Sequence, residues 1–116
     1  MRSPRRGQIF RLKDDSVGKP RPVLIVSPTI LNGGFNVSAV PFYSQQLEKR
    51  KSLETCVYFA ENEFGLEKDC VAKTDEVSVY KVNELRLSEG PVGEVDEERM
   101  QVISEALCFS LGITRS

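Results

Sequence analysis

Arg21 stands between Pro20 and Pro22, at the mouth of the apolar run Val23-Leu24-Ile25-Val26. Each proline fixes its own φ at about −65° and pushes the residue before it to extended geometry, so the Arg21 backbone is restrained from both sides. A guanidinium on such a mount loses little freedom when it grips an anion, and its planar fork fits a phosphate. The same three residues also fit a solvated arginine in a proline-bounded turn. The stretch Val71-Ala72-Lys73-Thr74-Asp75 places an acid beside a base at the end of an apolar segment. An aspartate with basic neighbours stays ionised and ready to accept a proton, although a turn-capping role is equally open. The chain has no histidine. That removes the usual acid–base near neutral pH and the usual nitrogen ligand of metals. No Ser/His/Asp or Cys/His nucleophile can be assembled from this chain alone, so Asp, Glu, Lys, Arg, Tyr or Ser must move any protons.

Charge is divided unevenly along the 116 residues, although the net value is only −1. Residues 1 to 51 hold ten Lys or Arg against three acids, and residues 52 to 116 hold six against fourteen. A fold that keeps the first half on one side presents a basic surface that attracts phosphates; one that mixes the halves does not. Arg5, Arg6, Lys49, Arg50 and Lys51 are candidate backbone contacts for a nucleic acid, or simply a solvated surface. Cys56, Cys70 and Cys108 are odd in number and form no C-x-x-C pair, which fits reduced thiols better than a disulfide frame or a zinc site. No membrane span and no leader are expected, and the length suits one domain over 1–116 in a cytoplasmic setting.

The elements that must hold these groups are short. Strands are expected at 8–12, 22–26, 35–43, 55–59, 70–74 and near 77–80, with Pro41 marking a bulge or an edge in the third. Lys13 to Gly18 and Ser44 to Ser52 are expected as loops, and Glu61 to Glu67 as a turn or short helix. Asp96 can cap a final helix in which Met100, Ile103, Leu107 and Leu111 recur at helical spacing before Gly112 stops it. Short strands followed by a terminal helix predict an α+β fold, mainly β: a small, strongly bent antiparallel barrel closed by that helix.

Five motifs now fall in one order: R-G-Q-I-F at 6–10, R-P-V-L-I-V at 21–26, V-P-F-Y-S-Q at 40–45, G-L-E-K-D-C-V-A-K-T-D at 65–75, and E-A-L-x-x-S-L-G-I at 105–113. In this the chain resembles the MazF/PemK toxins of type II toxin-antitoxin systems over nearly its full length. The resemblance implies an SH3-like or CcdB-like barrel, a homodimer, and metal-independent, cofactor-free cleavage of single-stranded RNA at short sequences. It also implies a cognate antitoxin whose acidic, disordered segment blocks the RNA groove. Arg21 matches the family's catalytic arginine, Asp75 its aspartate, and Lys73 stands where PemK-type members have arginine. Tyr43-Ser44 replaces the usual pair of small hydroxyl residues before Gln45, and the first loop lacks the usual S-E-Q-x-G segment. A non-catalytic relative that poisons DNA gyrase by protein contact is the alternative, one for which Arg21 has no use.

Cleaving RNA in this way makes the ribose 2′-OH attack its own phosphate, giving a 2′,3′-cyclic phosphate. Arg21 is the candidate to stabilise the crowded phosphorane and to supply the leaving-group proton, and Asp75 is the candidate base. Ser44 or Tyr43 can hydrogen-bond the scissile phosphate, unless Tyr43 stacks on a base or belongs to the core. Lys19, Gln45 and Lys73 complete the expected RNA contacts, Lys73 either as a phosphate clamp or as a plain strand lysine.

Overall fold

A computed structural model of the chain describes residues 3–13 and 21–114. Lys19 and the loop around Asp14 and Asp15 lie outside the described residues. Among those described, seven strands run β1 Gln8–Arg11, β2 Pro22–Ile25, β3 Asn36–Tyr43, β4 Cys56–Phe59, β5 Cys70–Lys73, β6 Ser78–Lys81 and β7 Gly93–Glu94. Two helices accompany them, α1 Leu47–Arg50 and α2 Glu97–Ser110. The strands pair antiparallel in the order β4-β5-β3-β2-β1-β7, with β6 attached to β3. The expected barrel is therefore a half-barrel, its end strands β4 and β7 sharing no ladder among the described residues.

β3 organises this sheet. One edge pairs residues 39–41 with β2, while the other pairs 36–39 with β6 and then 42–43 with β5. Ser38 turns its N–H to the Ser27 hydroxyl and its carbonyl to Val26 and Ser27, which sets the parity of the strand. By alternation Pro41 faces the opposite edge, in the gap between the β6 and β5 ladders, where its missing N–H interrupts nothing. So Pro41 lies at a change of partner rather than at an edge.

Alternation also explains the continuous apolar run of β2. Leu24, with Ile9, Val40 and Phe42, faces the core beneath α2; Val23 and Ile25, with Phe10 and Val37, face a smaller cluster around Leu85. Strands covered on both faces need apolar residues at every position. From α2 the core receives Met100, Ile103 and Ala106, and the Asp96 carboxylate caps the helix by accepting the Arg99 N–H at 2.9 Å. Leu111 lies past the last helical residue and is exposed, so the buried stripe is shorter than its sequence spacing predicts.

The open side of the half-barrel is filled by backbone rather than by pairing. The turn after β4 carries left-handed φ at Asn62 (74°), Phe64 (51°) and Gly65 (84°), and packs on β7. A Cβ on Gly93 would land on the Phe64 carbonyl, and one on Gly65 on the carbonyl of Val92. Glu63 pins the turn: it accepts the Ala60 N–H at 2.8 Å and a two-point bond from the Arg99 guanidinium at 2.8 and 2.9 Å. The Ala60 amide first, and Arg99 second, hold the Glu63 carboxyl below its usual range. Cys56 and Cys70 are buried, Cys108 half-buried, and all three are free thiols.

Candidate functional site

β2 and β3 deliver the first two groups. Arg21 enters β2 exposed, its carbonyl accepting the Leu12 N–H at 3.3 Å, and its guanidinium lies 4.4 Å from the ring centroid of Tyr43. Tyr43 ends β3 opposite Val71 of β5. The chain then turns at Gln46, whose φ of 55° is left-handed, into the short helix α1, where the sequence led us to expect only loop. That turn brings Arg50 back over the same ring, 4.8 Å from its centroid. An aromatic face attracts cations, so Tyr43 gathers two guanidiniums that would otherwise repel each other.

The phenol end of Tyr43 meets an acid. Its hydroxyl donates to Glu76 Oε1, while Lys73 Nζ bridges Glu76 Oε2 and Asp75 Oδ2 at 2.9 Å each. Burial, then the bond to Glu76, raise the Tyr43 phenol above its ordinary value, against the pull of Arg21 and Lys73. The Tyr43 hydroxyl and then Lys73 hold the Glu76 carboxyl below its usual range. Glu76 and then Asp75 hold the Lys73 ammonium charged beyond the ordinary lysine value. A continuous chain of contacts thus joins Arg21, Tyr43, Glu76, Lys73 and Asp75.

Arg21, Tyr43, Ser44, Gln45 and Arg50 line a cleft of about 750 Å³, together with Arg11, Glu67, Lys68 and Arg86. A recess of about 480 Å³ between β4 and α2 is walled by Leu53, Tyr58, Val102 and Phe109, and contains none of the chemistry described above. The sequence-predicted residues separate accordingly. Arg21, Tyr43, Ser44, Gln45 and Arg50 share the cleft, whereas Lys73 and Asp75 are linked to it through Glu76 rather than lining it. Arg5 pairs with Glu94 at 2.6 Å, and Arg6 is tied to the Val26 carbonyl and to Ser104 Oγ of α2. Lys51 pairs with Glu48 at 3.1 Å and sits over Tyr58, and Lys49 is exposed on α1. Neither Arg5, Arg6, Lys49 nor Lys51 lines the cleft.

Sequence reasoning passed over Glu76, Arg11, Lys68 and Arg86. For Glu76 a signal existed: it is the second acid in Lys73-Thr74-Asp75-Glu76, three positions after a lysine. Among the described residues no three His, Cys, Asp or Glu side chains gather as a metal-ligand set, and no helix is long and apolar enough to cross a membrane.

Comparison with known proteins bears on this arrangement. No curated protein matches the chain. An endoribonuclease solved in complex with its cognate antitoxin, from a mycobacterial species, is 27% identical with a TM-score of 0.77, covering 98% of this chain and 100% of that one. The MazE-MazF complex of Deinococcus radiodurans (21% identity, TM-score 0.76, 98% and 100% covered) and a MazF toxin of Mycobacterium tuberculosis (21%, 0.76, 93% and 99%) share the fold. The family described as PemK-like, MazF-like toxin of type II toxin-antitoxin system matches residues 5–111. That span takes in the Arg21 entrance, the Tyr43–Glu76 pair and helix α2, and the chain therefore belongs to the PemK/MazF-like toxins rather than to the gyrase-poisoning alternative.

Proposed function

We propose that this toxin is an endoribonuclease that cuts single-stranded messenger RNA in the cytoplasm by 2′-OH attack and is restrained by a cognate antitoxin. The observation that carries the reading is the pair of guanidiniums gathered on Tyr43 while its hydroxyl engages Glu76. The endoribonuclease and antitoxin of the 27% identical relative support it.

In this mechanism the scissile phosphate sits against Arg21, with Arg50 on an adjacent phosphate and Ser44 or Gln45 bonding its oxygens. Arg21 gains strength as the phosphorane collects charge, a preorganised donor of the kind that contributes ~3 kcal/mol. The 2′-OH gives its proton to the Tyr43 oxygen as the phenol passes its own to Glu76. Lys73, itself held by Asp75, positions that carboxylate. The 2′-oxygen bonds to phosphorus, the bond to the 5′-oxygen breaks, and a 2′,3′-cyclic phosphate and a 5′-hydroxyl result. A guanidinium does not give up its proton in a protein, so the departing oxygen is hydrogen-bonded by Arg21 and protonated from solvent. A homodimer, in the manner of the family, would present two such clefts.

The test is incubation of the pure protein with a long RNA in EDTA. Discrete fragments ending in cyclic phosphate are expected, and Arg21→Ala should lower the rate at least ~100-fold. Because Arg21 is exposed, folding stability should change by under about 1 kcal/mol. Intact RNA, or fragments that appear only with added metal, would remove this reading.

A further inference from the structure

The cleft residues outside the Tyr43 cluster have their own organisation. Of the described residues lining the cleft, five are cations (Arg11, Arg21, Arg50, Lys68, Arg86) and one, Glu67, is an acid. Three of the arginines are brought together by backbone register. Arg11 of β1 pairs with Pro22, the neighbour of Arg21, and the Arg11 carbonyl accepts the Arg86 N–H at 2.9 Å. Arg86 also sends its Nε to the Leu12 carbonyl at 3.1 Å, which fixes the base of its guanidinium, and makes a long 3.4 Å contact to Glu89. Glu67 projects from the loop before β5 and accepts from Arg11 at 2.8 Å, its side chain 64% exposed.

A carboxylate oxygen on an arginine fork occupies the place that a phosphate oxygen would take. We propose that Arg11, Lys68 and Arg86 form a second phosphate subsite for the same RNA strand, with Glu67 serving in the free protein as an internal stand-in that an incoming phosphate displaces. The subsite rests on the nuclease reading and extends it: the strand lies across β1 and β2, not only over Tyr43. The ligand is a polynucleotide phosphate, since the sites recur along one cleft that begins at the phosphodiester-cleaving arginine. Glu67 then limits affinity and sets a threshold for weak polyanions, because each must compete with it.

The experiment measures binding of a single-stranded 2′-O-methyl oligoribonucleotide, which lacks the attacking hydroxyl, across a range of salt. Each phosphate contact on a single strand contributes ~0.7 to the slope of log affinity against log salt. Glu67→Gln should tighten binding about fivefold at low salt and steepen the slope by ~0.7, since Arg11 becomes available. Arg86→Gln should weaken binding and flatten the slope by about the same amount. Melting curves establish that both variants are folded; Lys68→Gln, exposed and outside every strand, serves if Arg86→Gln does not fold. Wild-type-like slopes in a protein that binds the oligonucleotide would overturn the subsite and leave the nuclease reading standing. No binding by the wild type would overturn the nuclease reading itself. If the variants change affinity only for a polyglutamate peptide, the surface serves an acidic protein segment and the proposal fails.

Discussion

Tyr43 takes part in two kinds of bond at once, and substitution can separate them. Phenylalanine keeps the ring that gathers Arg21 and Arg50 but removes the hydroxyl that reaches Glu76. Tyr43→Phe should therefore lower kcat by ~100-fold, the scale of a lost proton relay, and leave RNA affinity within about twofold. Full activity in that variant would exclude the phenol as a proton relay. Glu76 is tested separately through the phenol. Its carboxylate raises the Tyr43 phenol while Arg21 and Lys73 pull the other way, so Glu76→Gln should let Tyr43 ionise at lower pH. Phenolate absorbance followed through an alkaline titration reads this, and an upward shift would count against the pairing. At this scale the sequence was informative wherever local constraint decides, as at Arg21 between its prolines. It was silent at Arg11 and Arg86, which become neighbours only through a ladder spanning 75 residues of chain.

Among the elements, β1 to β6 were legible from their short apolar or alternating runs, and α2 because a capping Asp96 precedes a helical stripe. β7, Gly93–Glu94, was not expected. α1 was not, since Leu47-Glu48-Lys49-Arg50 has no buried residue and its turn depends on a left-handed Gln46. The glycine seam was equally hidden, as Gly65 and Gly93 read as ordinary turn residues until β7 and the turn after β4 are brought together. Overpacking such a contact should be costly. Gly93→Ala is expected to destabilise the fold by ~3 kcal/mol, whereas Gly34→Ala, with no atom within 4 Å, should stay within about 0.5 kcal/mol. Denaturant midpoints of the two variants decide it, and equal midpoints would show the seam to be loosely packed. The seam also matters to the site. Gly65 and Val92 line the cleft, so spreading the backbone there widens it.

For the whole molecule, the ionisable groups predict a plateau with two shoulders. Glu63 and Glu76 are held below their usual 4.5, so their contribution is present above that value and fades as pH falls through their folded values. Burial pushes the Cys70 thiol from 9.0 up to about 12, and burial also raises Tyr43, Tyr58 and Tyr80. Those groups stabilise the fold below their ordinary values, and that contribution is lost as pH rises through the folded ones. With no histidine side chain to titrate between, stability should be level from about pH 5.5 to 8.5 and fall on both sides. A denaturation series over that range checks it, and a step near neutrality would contradict it. The halves of the chain, basic and acidic by composition, do not stay apart: Lys68 and Arg86 come from the acidic half to join Arg11, Arg21 and Arg50. Charge counting along the chain thus does not locate the surface on which these cations gather. The chain has three tyrosines and no tryptophan, so tyrosine alone supplies its near-ultraviolet emission. One of those three fluorophores is clasped by the two arginines of the cleft, so an unlabelled sample carries its own optical gauge: RNA drawing Arg21 or Arg50 off that ring would alter the light it emits.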